Sequence, residues 1–114
     1  MAVDPTKRQL KTQARRRLWL HVRATQPNCW LCGYPIPRDV QYGHPLYLNL
    51  DEVVPRSRGG SAEDPANVRA AHACCNGARN NRTPTPELVT RCKVKVEALL
   101  GSPVIAQTDS SREW

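Results

Sequence analysis

Two pairs of potential metal ligands constrain the fold of this chain more than any other feature of the sequence. The first pair is Cys29 and Cys32, and the second pair, later in the chain, is His72 and Cys75. Thiolates and imidazoles separated by two residues suit a tetrahedral zinc ion, because a tight turn lets both side chains point at one metal. Gly33 follows directly after the second cysteine, where such a turn folds the backbone back. We therefore predict one structural zinc ion bound by Cys29, Cys32, His72 and Cys75.

The cysteines leave other interpretations open. A Cys-x2-Cys pair is also typical of a redox dithiol, although no strand and helix of the kind that surround such a site are predicted here. Cys74 adjoins Cys75, so either residue can in principle be the ligand, and the spacing from His72 favours Cys75. Cys92 is predicted to be a buried thiol in a helix.

The composition indicates why a metal would be needed. The chain has 114 residues, which is enough for one domain, with no Phe and an aromatic fraction of 5%. A domain of this size buries only about two-thirds of the surface of its unfolded chain, so apolar burial alone is a thin source of stability. No apolar run approaches the roughly 20 residues of a membrane helix, and the first residues lack the apolar stretch of a secretory signal. We expect a cytoplasmic protein with reduced cysteines and no membrane partner.

The beginning of the chain is strongly basic. Lys and Arg number 17 against 10 acidic residues, and the formal net charge is +7. An apolar residue at every fourth position predicts a helix from Thr6 to about Ala24, in an N-terminal segment of residues 1–26. Its apolar stripe consists of Leu10, Ala14, Leu18 and Val22. Charge on a helix usually marks a solvated face, but so many basic residues with almost no counter-charge favour phosphate binding.

The remaining helices and strands are predicted from the positions of Gly and Pro, which interrupt regular structure, and from the spacing of apolar residues. A short strand is expected over residues 46–50, a turn or helix entry over 64–67, and a short helix from Asn76 to residues 80–81. Thr85 followed by Pro predicts the start of a last helix, which Gly101 and the following Pro end. We divide the rest of the chain into a core of residues 27–82, a C-terminal helix within 83–101 and a polar tail of 102–114. The apolar stripe of the last helix comprises Leu88, Cys92, Val96 and Leu99.

Three stretches lie in register around the zinc ligands. Residues 50–60 read LDEVVPRSRGG, residues 64–68 read DPANV and residues 72–76 read HACCN. In this order the chain resembles the HNH endonuclease family, in its zinc-bearing form from phages and their bacterial relatives. The resemblance covers residues 27–82. It implies an α+β fold, with a small ββα-metal, treble-clef-like core that a zinc knuckle staples and that N- and C-terminal helices flank.

The resemblance also implies roles for individual residues. Asp51 and Asn76 would bind a catalytic divalent cation, and Asn67 would brace the loop of the catalytic base through hydrogen bonds to the backbone. Carboxylate and amide oxygens suit Mg²⁺ or Mn²⁺. The cation would contact the scissile phosphate and stabilise charge on the departing oxygen. The zinc ion, fully bound by protein ligands, would take no part in the chemistry.

One residue departs from the family pattern. Glu52 stands where the family has the His that accepts the proton of the attacking water. The ordinary pKa of glutamate, about 4.3, lies below that of histidine, about 6.5, so Glu52 is expected to be a weaker but possible base. Glu52 could instead bind the cation, although adjacent residues of a strand face opposite ways. His44 is an alternative base, and its setting beside Pro45 favours a simple surface histidine.

Two functions follow from the resemblance. The first is a metal-dependent hydrolase that cuts or nicks double-stranded DNA. The second is a non-catalytic, zinc-stapled DNA-binding or packaging accessory module, in which Glu52 marks decay of the site. A phage terminase complex is a partner implied by the resemblance alone. Several side chains remain open between DNA contacts and ordinary roles: Trp19 and Trp30 between base stacking and the core, and Arg79 and Arg82 between phosphate binding and solvated surface.

Overall fold

Two antiparallel strands form the centre of the fold in a computed structural model that describes residues 12–101. The strands are β1 (Leu48–Glu52) and β2 (Val68–His72), and their register pairs Leu48 with His72 and Glu52 with Val68. Small and branched apolar residues let the helices approach the strands closely, and in β2 Val68 and Ala70 are fully buried. The described part of the chain is thus a small α+β domain.

Three helices surround the strand pair. They are α1 (Gln13–Thr25), α2 (Ala73–Arg79) and α3 (Pro86–Leu100). The hydroxyls of Thr12 and Thr85 accept hydrogen bonds from the first turns of α1 and α3, so that each helix begins at a capping side chain. None of the helices in residues 12–101 is long and apolar enough to cross a membrane.

Helix α1 confirms part of the predicted stripe. Leu18 and Val22 are buried, whereas Ala14 is exposed, and Trp19 completes the buried face. The Trp19 indole donates a hydrogen bond to the backbone carbonyl of Leu48 at 3.0 Å, which fixes α1 across the start of β1. Leu10 and the predicted first turns of the helix, residues 6–11, lie outside the described residues.

Two predicted boundaries were wrong. Strand β1 lies two residues later than predicted, so that it includes Asp51 and Glu52. Helix α2 begins at Ala73, directly after β2, and not at Asn76. The N–H groups of Ala73 and Cys74 donate to the backbone carbonyls of Tyr47 and Pro45, at 2.8 and 2.9 Å. Because tertiary contacts satisfy these donors, the helix needs no capping residue that a sequence would reveal.

Helix α3 has the predicted start and end. Pro86 occupies its first turn, and Gly101 ends it in the left-handed conformation, with φ +70°. Leu88, Cys92 and Val96 are buried against the rest of the domain, as predicted, whereas Leu99 is exposed, so its place in the apolar stripe was wrong. The polar tail of residues 102–114 lies outside the described part of the chain, and the division into segments remains a prediction.

The turn after β1 passes close to its own backbone at Gly60. A β-carbon at this position would lie 1.6 Å from the carbonyl oxygen of Val54, whereas one at Gly77, an exposed position of α2, would have nothing within 4 Å. We predict that Gly60→Ala lowers the free energy of unfolding by about 1–3 kcal/mol, because the backbone must move. Gly77→Ala should raise it by about 0.5–1 kcal/mol through helix propensity. Urea unfolding of both variants checks this, and equal effects would contradict it.

Candidate metal centre and the end of the first strand

The first half of the candidate metal centre is a tight turn. The Cys29 N–H donates to the Tyr34 carbonyl at 2.9 Å, and the Gly33 N–H donates to the Cys29 carbonyl at 2.8 Å. Gly33 has φ +82°, a left-handed conformation that a residue with a side chain rarely adopts. The Trp30 N–H donates to the Ala70 carbonyl and so attaches the turn to β2.

The second half comes from the end of β2 and the first turn of α2. His72 is the last residue of β2 and Cys75 lies three residues later, so both side chains return to the turn. The ligand atoms of Cys29, Cys32, His72 and Cys75 all lie within 4.8 Å of one another, and all four residues are buried. Among residues 12–101 this is the one group of three or more Cys, His or acidic side chains that converges in this way. The group can hold a metal ion.

The distances within the group fit a tetrahedral ion. His72 Nδ1 lies 3.4 Å from Cys32 Sγ and 3.8 Å from Cys75 Sγ. Zinc–sulfur and zinc–nitrogen bonds of about 2.3 and 2.05 Å, at tetrahedral angles, place sulfur and nitrogen about 3.6 Å apart. The two observed distances lie on either side of this value.

A hydrogen bond on the side of the ring away from the cysteines fixes the orientation of His72. Its Nε2 lies 2.9 Å from the carbonyl oxygen of Pro35, an acceptor, so this nitrogen carries the proton. Nδ1 is then the unprotonated nitrogen, and it is the one that faces the cysteines. Such an outer hydrogen bond is the usual way in which a protein fixes the tautomer of a metal-binding histidine.

Hydrogen bonds among the three thiols change their pKa values in different directions. Hydrogen bonds from Cys32 and Cys75 lower the pKa of Cys29, whereas the bond with Cys29 raises the pKa of Cys32 to about 12. Hydrogen bonds with Cys29 and Cys32, followed by burial, also raise the pKa of Cys75. A bound cation must therefore displace protons from at least two thiols, so its affinity should fall as the pH falls.

The other two cysteines are not members of the group. Cys74 is half-buried and does not belong to it, so Cys75 is the member, as the spacing predicted. Cys92 is buried in α3, and burial raises the pKa of its thiol. Its place in the helix is as predicted.

We predict that freshly purified protein contains about one zinc ion per chain and that strong chelation unfolds it, because binding free energy is here folding free energy. Cys75→Ser should lose the metal and the cooperative thermal transition, whereas the matched variant Cys74→Ser should retain both. Elemental analysis and thermal unfolding followed by circular dichroism provide the measurements. Folded wild-type protein without zinc would contradict the prediction.

Asp51 lies beside this centre, at the end of β1. Its carboxylate is only 7% exposed, and it accepts hydrogen bonds from the Trp30 indole at 2.8 Å and from the Arg79 guanidinium at 2.9 Å. Burial raises the pKa of Asp51, and these two partners offset only part of the shift. Each carboxylate oxygen accepts one of the two hydrogen bonds and has a second lone pair.

The Arg79 side chain connects several groups at the end of β1 through hydrogen bonds. Arg79 is 1% exposed, and besides Asp51 it donates to the backbone carbonyls of Glu52, Val53 and Arg82, at 2.6, 2.8 and 2.8 Å. Its guanidinium carbon lies 5.3 Å from the ring centre of Trp30. Arg79 is therefore neither the phosphate contact nor the solvated surface residue that the sequence left open.

Glu52 faces the other side of the strand. Its carboxylate lies 3.3 Å from the Arg15 guanidinium of α1, and the two side chains are 18% and 15% exposed. The ladder is regular up to the pair of Glu52 with Val68. Asp51 and Glu52 thus point in opposite directions, as expected for a strand, and the arrangement does not favour Glu52 as a second ligand beside Asp51.

Asn67 fastens the loop that follows β1. Its side-chain oxygen accepts from the Val54 N–H at 2.8 Å, and its amide donates to the carbonyls of Val54 and Ser61 at 2.9 and 3.0 Å. These are hydrogen bonds to backbone of the kind that the resemblance implies. A role of Asn67 in catalysis stays a prediction.

The other candidate residues have simpler settings. Asn76 is half-buried in the first turns of α2, next to Cys75. His44 accepts a hydrogen bond from the Leu46 N–H at 3.0 Å in the turn before β1. Trp19 is buried and Trp30 is half-buried against the core, so both belong to the core.

No protein-family model, curated protein or solved structure matches this chain. A functional interpretation therefore depends on the residues and geometry of the site itself. Sequence reasoning missed the contacts that Arg15, Trp30 and Arg79 make with the two acidic residues at the strand end. No spacing pattern links them to Asp51 or Glu52, so only the folded chain reveals the contacts.

The Asp51–Arg79 pair generates a stability prediction. Arg79→Leu leaves the buried Asp51 carboxylate without its cation, and we expect the free energy of unfolding to fall by about 3–5 kcal/mol. Arg91→Leu, at an exposed position on α3, should change it by less than about 0.5 kcal/mol. The double variant Asp51→Leu/Arg79→Leu should lose less than the two single variants together, because no charge is left buried alone. Urea unfolding of the metal-loaded proteins checks this, and additive losses would contradict it.

Proposed function

We propose that this protein is a metal-dependent DNA endonuclease or nickase of the HNH type, which hydrolyses phosphodiester bonds of double-stranded DNA. The observation that carries the proposal is the position of Asn67. Its amide fastens the loop of residues 54–61 next to a strand end that presents Asp51 and Glu52 on opposite sides. A non-catalytic DNA-binding domain has no evident need for this arrangement of an amide brace and two acidic residues.

Zinc is the metal that best suits the cysteine–histidine group. Three sulfur ligands and one nitrogen are a common set for structural zinc. Burial of all four ligand residues favours a structural task for this ion. It would hold the first turn, β2 and α2 together.

The catalytic cation would be Mg²⁺ or Mn²⁺. Asp51 fits this role because it is a carboxylate at a strand end with lone pairs to spare, and Asn76 would add an amide oxygen from α2. When bound, the cation stabilises charge on the phosphate and on the departing oxygen. Asp51 already neutralises Arg79, so the protein holds the carboxylate in a single orientation.

Glu52 is proposed as the general base. A glutamate is ionised at neutral pH, so it can accept a proton from water. The backbone carbonyl groups of Glu52 and Val53 both accept hydrogen bonds from Arg79. The Glu52 carboxylate is paired with Arg15. These contacts fix the residue from the backbone and from the side chain.

The charge of the chain supports DNA as the substrate. The net charge is +7, and Arg16 and Arg23 lie on α1, which packs across the start of β1. Basic residues neutralise phosphates without regard to base sequence. We expect binding that is sensitive to salt and only weakly dependent on sequence.

One observation favours the second candidate function, a DNA-binding or genome-packaging accessory module. Both acidic residues of the strand end are paired with arginines of the same chain, Asp51 with Arg79 and Glu52 with Arg15. An inert, decayed site would look similar. Retention of Asp51, Asn67 and Asn76 together speaks for the enzyme, since decay should remove them as readily as the base. A terminase partner remains a proposal from the resemblance.

Substitutions at position 52 separate the two functions. Glu52→Gln keeps the shape of the side chain but removes its basicity, and we expect cleavage to slow by about 10² or more. Glu52→His should retain or raise activity and move the pH optimum upward, because the ordinary pKa of histidine is higher by about two units. Asp51→Ala should abolish cleavage. Cleavage of supercoiled plasmid with added Mg²⁺ or Mn²⁺ is the measurement, and Glu87→Gln serves as a matched control at an exposed acidic residue of α3.

The outcomes are distinct. Full activity of Glu52→Gln together with an inactive Asp51→Ala would show that Glu52 is not the base. If the wild-type protein cuts with no divalent ion but Glu52→His does cut, the accessory module is the better description. Zinc content and thermal unfolding of each variant exclude loss of folding as the cause.

A further inference from the structure

A cleft of about 460 Å³ lies between the beginning of α1 and the glycine-rich turn that follows β1. Thr12, Arg15, Arg56 and residues 60–63 line it. Its place is significant because Arg15 also contacts Glu52, the acidic residue on this side of β1. The guanidinium of Arg15 therefore lies between the cleft and Glu52, the proposed base.

Two arginines from separate elements meet in this cleft. Arg15 comes from the first turn of α1, and Arg56 from the short turn Arg56–Arg58. Burial lowers the pKa of Arg15, the charges of Glu52 and Glu63 oppose this shift, and the charge of Arg56 adds to it. Two arginines that line one cleft attract an anion, and planar guanidinium groups match the oxygens of a phosphate.

Arg15 is placed so that it can serve two groups. One nitrogen of its guanidinium donates to the Glu52 carboxylate at 3.3 Å and to the Ala62 carbonyl at 2.5 Å. A guanidinium has five N–H donors, and charge-assisted hydrogen bonds are usually shorter, about 2.7–2.9 Å. The bond to Glu52 is thus long, and a phosphate oxygen can compete for the same guanidinium.

The opposite wall of the cleft is held in place. Asn67 donates to the carbonyl of Ser61, a cleft residue, at 3.0 Å. Gly60 packs against the Val54 carbonyl so closely that no side chain fits there. This wall keeps its shape while α1 supplies Arg15 from the other side.

We propose that this cleft binds a phosphate of the DNA backbone through Arg15 and Arg56, and that Arg15 positions Glu52 next to that phosphate. The inference rests on the proposed function for the identity of its ligand. The guanidinium is then shared between the carboxylate and the phosphate, so Glu52 is held where the substrate has arrived. It also offsets the repulsion between Glu52 and the phosphate, which would otherwise oppose docking.

The chain offers a matched control for each arginine. Arg17 is exposed on the same helix as Arg15, and Arg58 is exposed in the same short turn as Arg56, but neither of them lines the cleft. We would compare R15Q and R56Q with R17Q and R58Q in the full-length, zinc-loaded protein. Affinity for a 20-bp duplex is measured by fluorescence anisotropy at several salt concentrations, without added divalent ions.

We expect R15Q and R56Q each to lower the slope of log K against log salt by about one unit. R17Q and R58Q should lower it by clearly less. R15K retains the charge and should keep most of the slope, which separates charge from folding, and thermal unfolding is recorded for every variant. Equal losses in the cleft variants and their controls would overturn the inference, because the binding would then be diffuse.

Cleavage by the same five variants distinguishes the inference from the proposed function. If the slopes follow the expected pattern but no protein cuts DNA, the cleft binds phosphate and the nuclease proposal fails. If the wild type cuts while R15Q and R56Q bind and cut like their controls, the nuclease stands and the cleft is not its phosphate site. A rise in KM for R15Q together with a lower kcat would support its positioning of Glu52.

Discussion

The convergence of three cysteines and one histidine is the constraint on which the rest of this structure depends. The ligands come from a tight turn, the end of β2 and the first turn of α2, so one bound ion fastens three parts of the chain. A pair of strands alone is marginally stable in water, and β2 buries mostly small side chains. A metal bound by this group would therefore add to the stability that the small apolar core provides.

The convergence of these four residues also determines the geometry at the end of β1. Trp30 lies between Cys29 and Cys32, and Arg79 lies one turn after Cys75, so the two halves of the metal group both send a hydrogen-bond donor to Asp51. The backbone at Glu52 and Val53 is fixed by that arginine as well. A shift of the turn or of α2 would thus move the carboxylates. Metal binding would therefore be coupled to the geometry of the proposed active site through these two contacts.

Much of this architecture could be predicted from local sequence signals. The ligand spacing, the glycine after Cys32 and the Thr85 cap each act over a few residues, and the group of four ligands, its tight turn and helix α3 follow from them. The start of α2 and the pairing of Arg79 with Asp51 could not be predicted, because they arise from contacts between distant segments. The buried Arg79 is the clearest case, because an arginine at the end of a short helix normally lies on the protein surface. The roles of Asp51, Glu52, Asn67 and Asn76 remain predictions from a resemblance.

We propose that a metal-stapled frame presents Asp51, Glu52, Asn67 and Asn76 for cutting DNA. Cleavage of supercoiled plasmid tests this, with wild-type protein that retains its zinc but has been freed of loosely bound divalent ions on a mild chelating resin. We expect intact plasmid without added ions, and nicked or linear products once Mg²⁺ or Mn²⁺ is restored, with zinc content unchanged. Plasmid that is bound by the folded, zinc-loaded protein but stays intact with every divalent ion would show that the protein is not a nuclease.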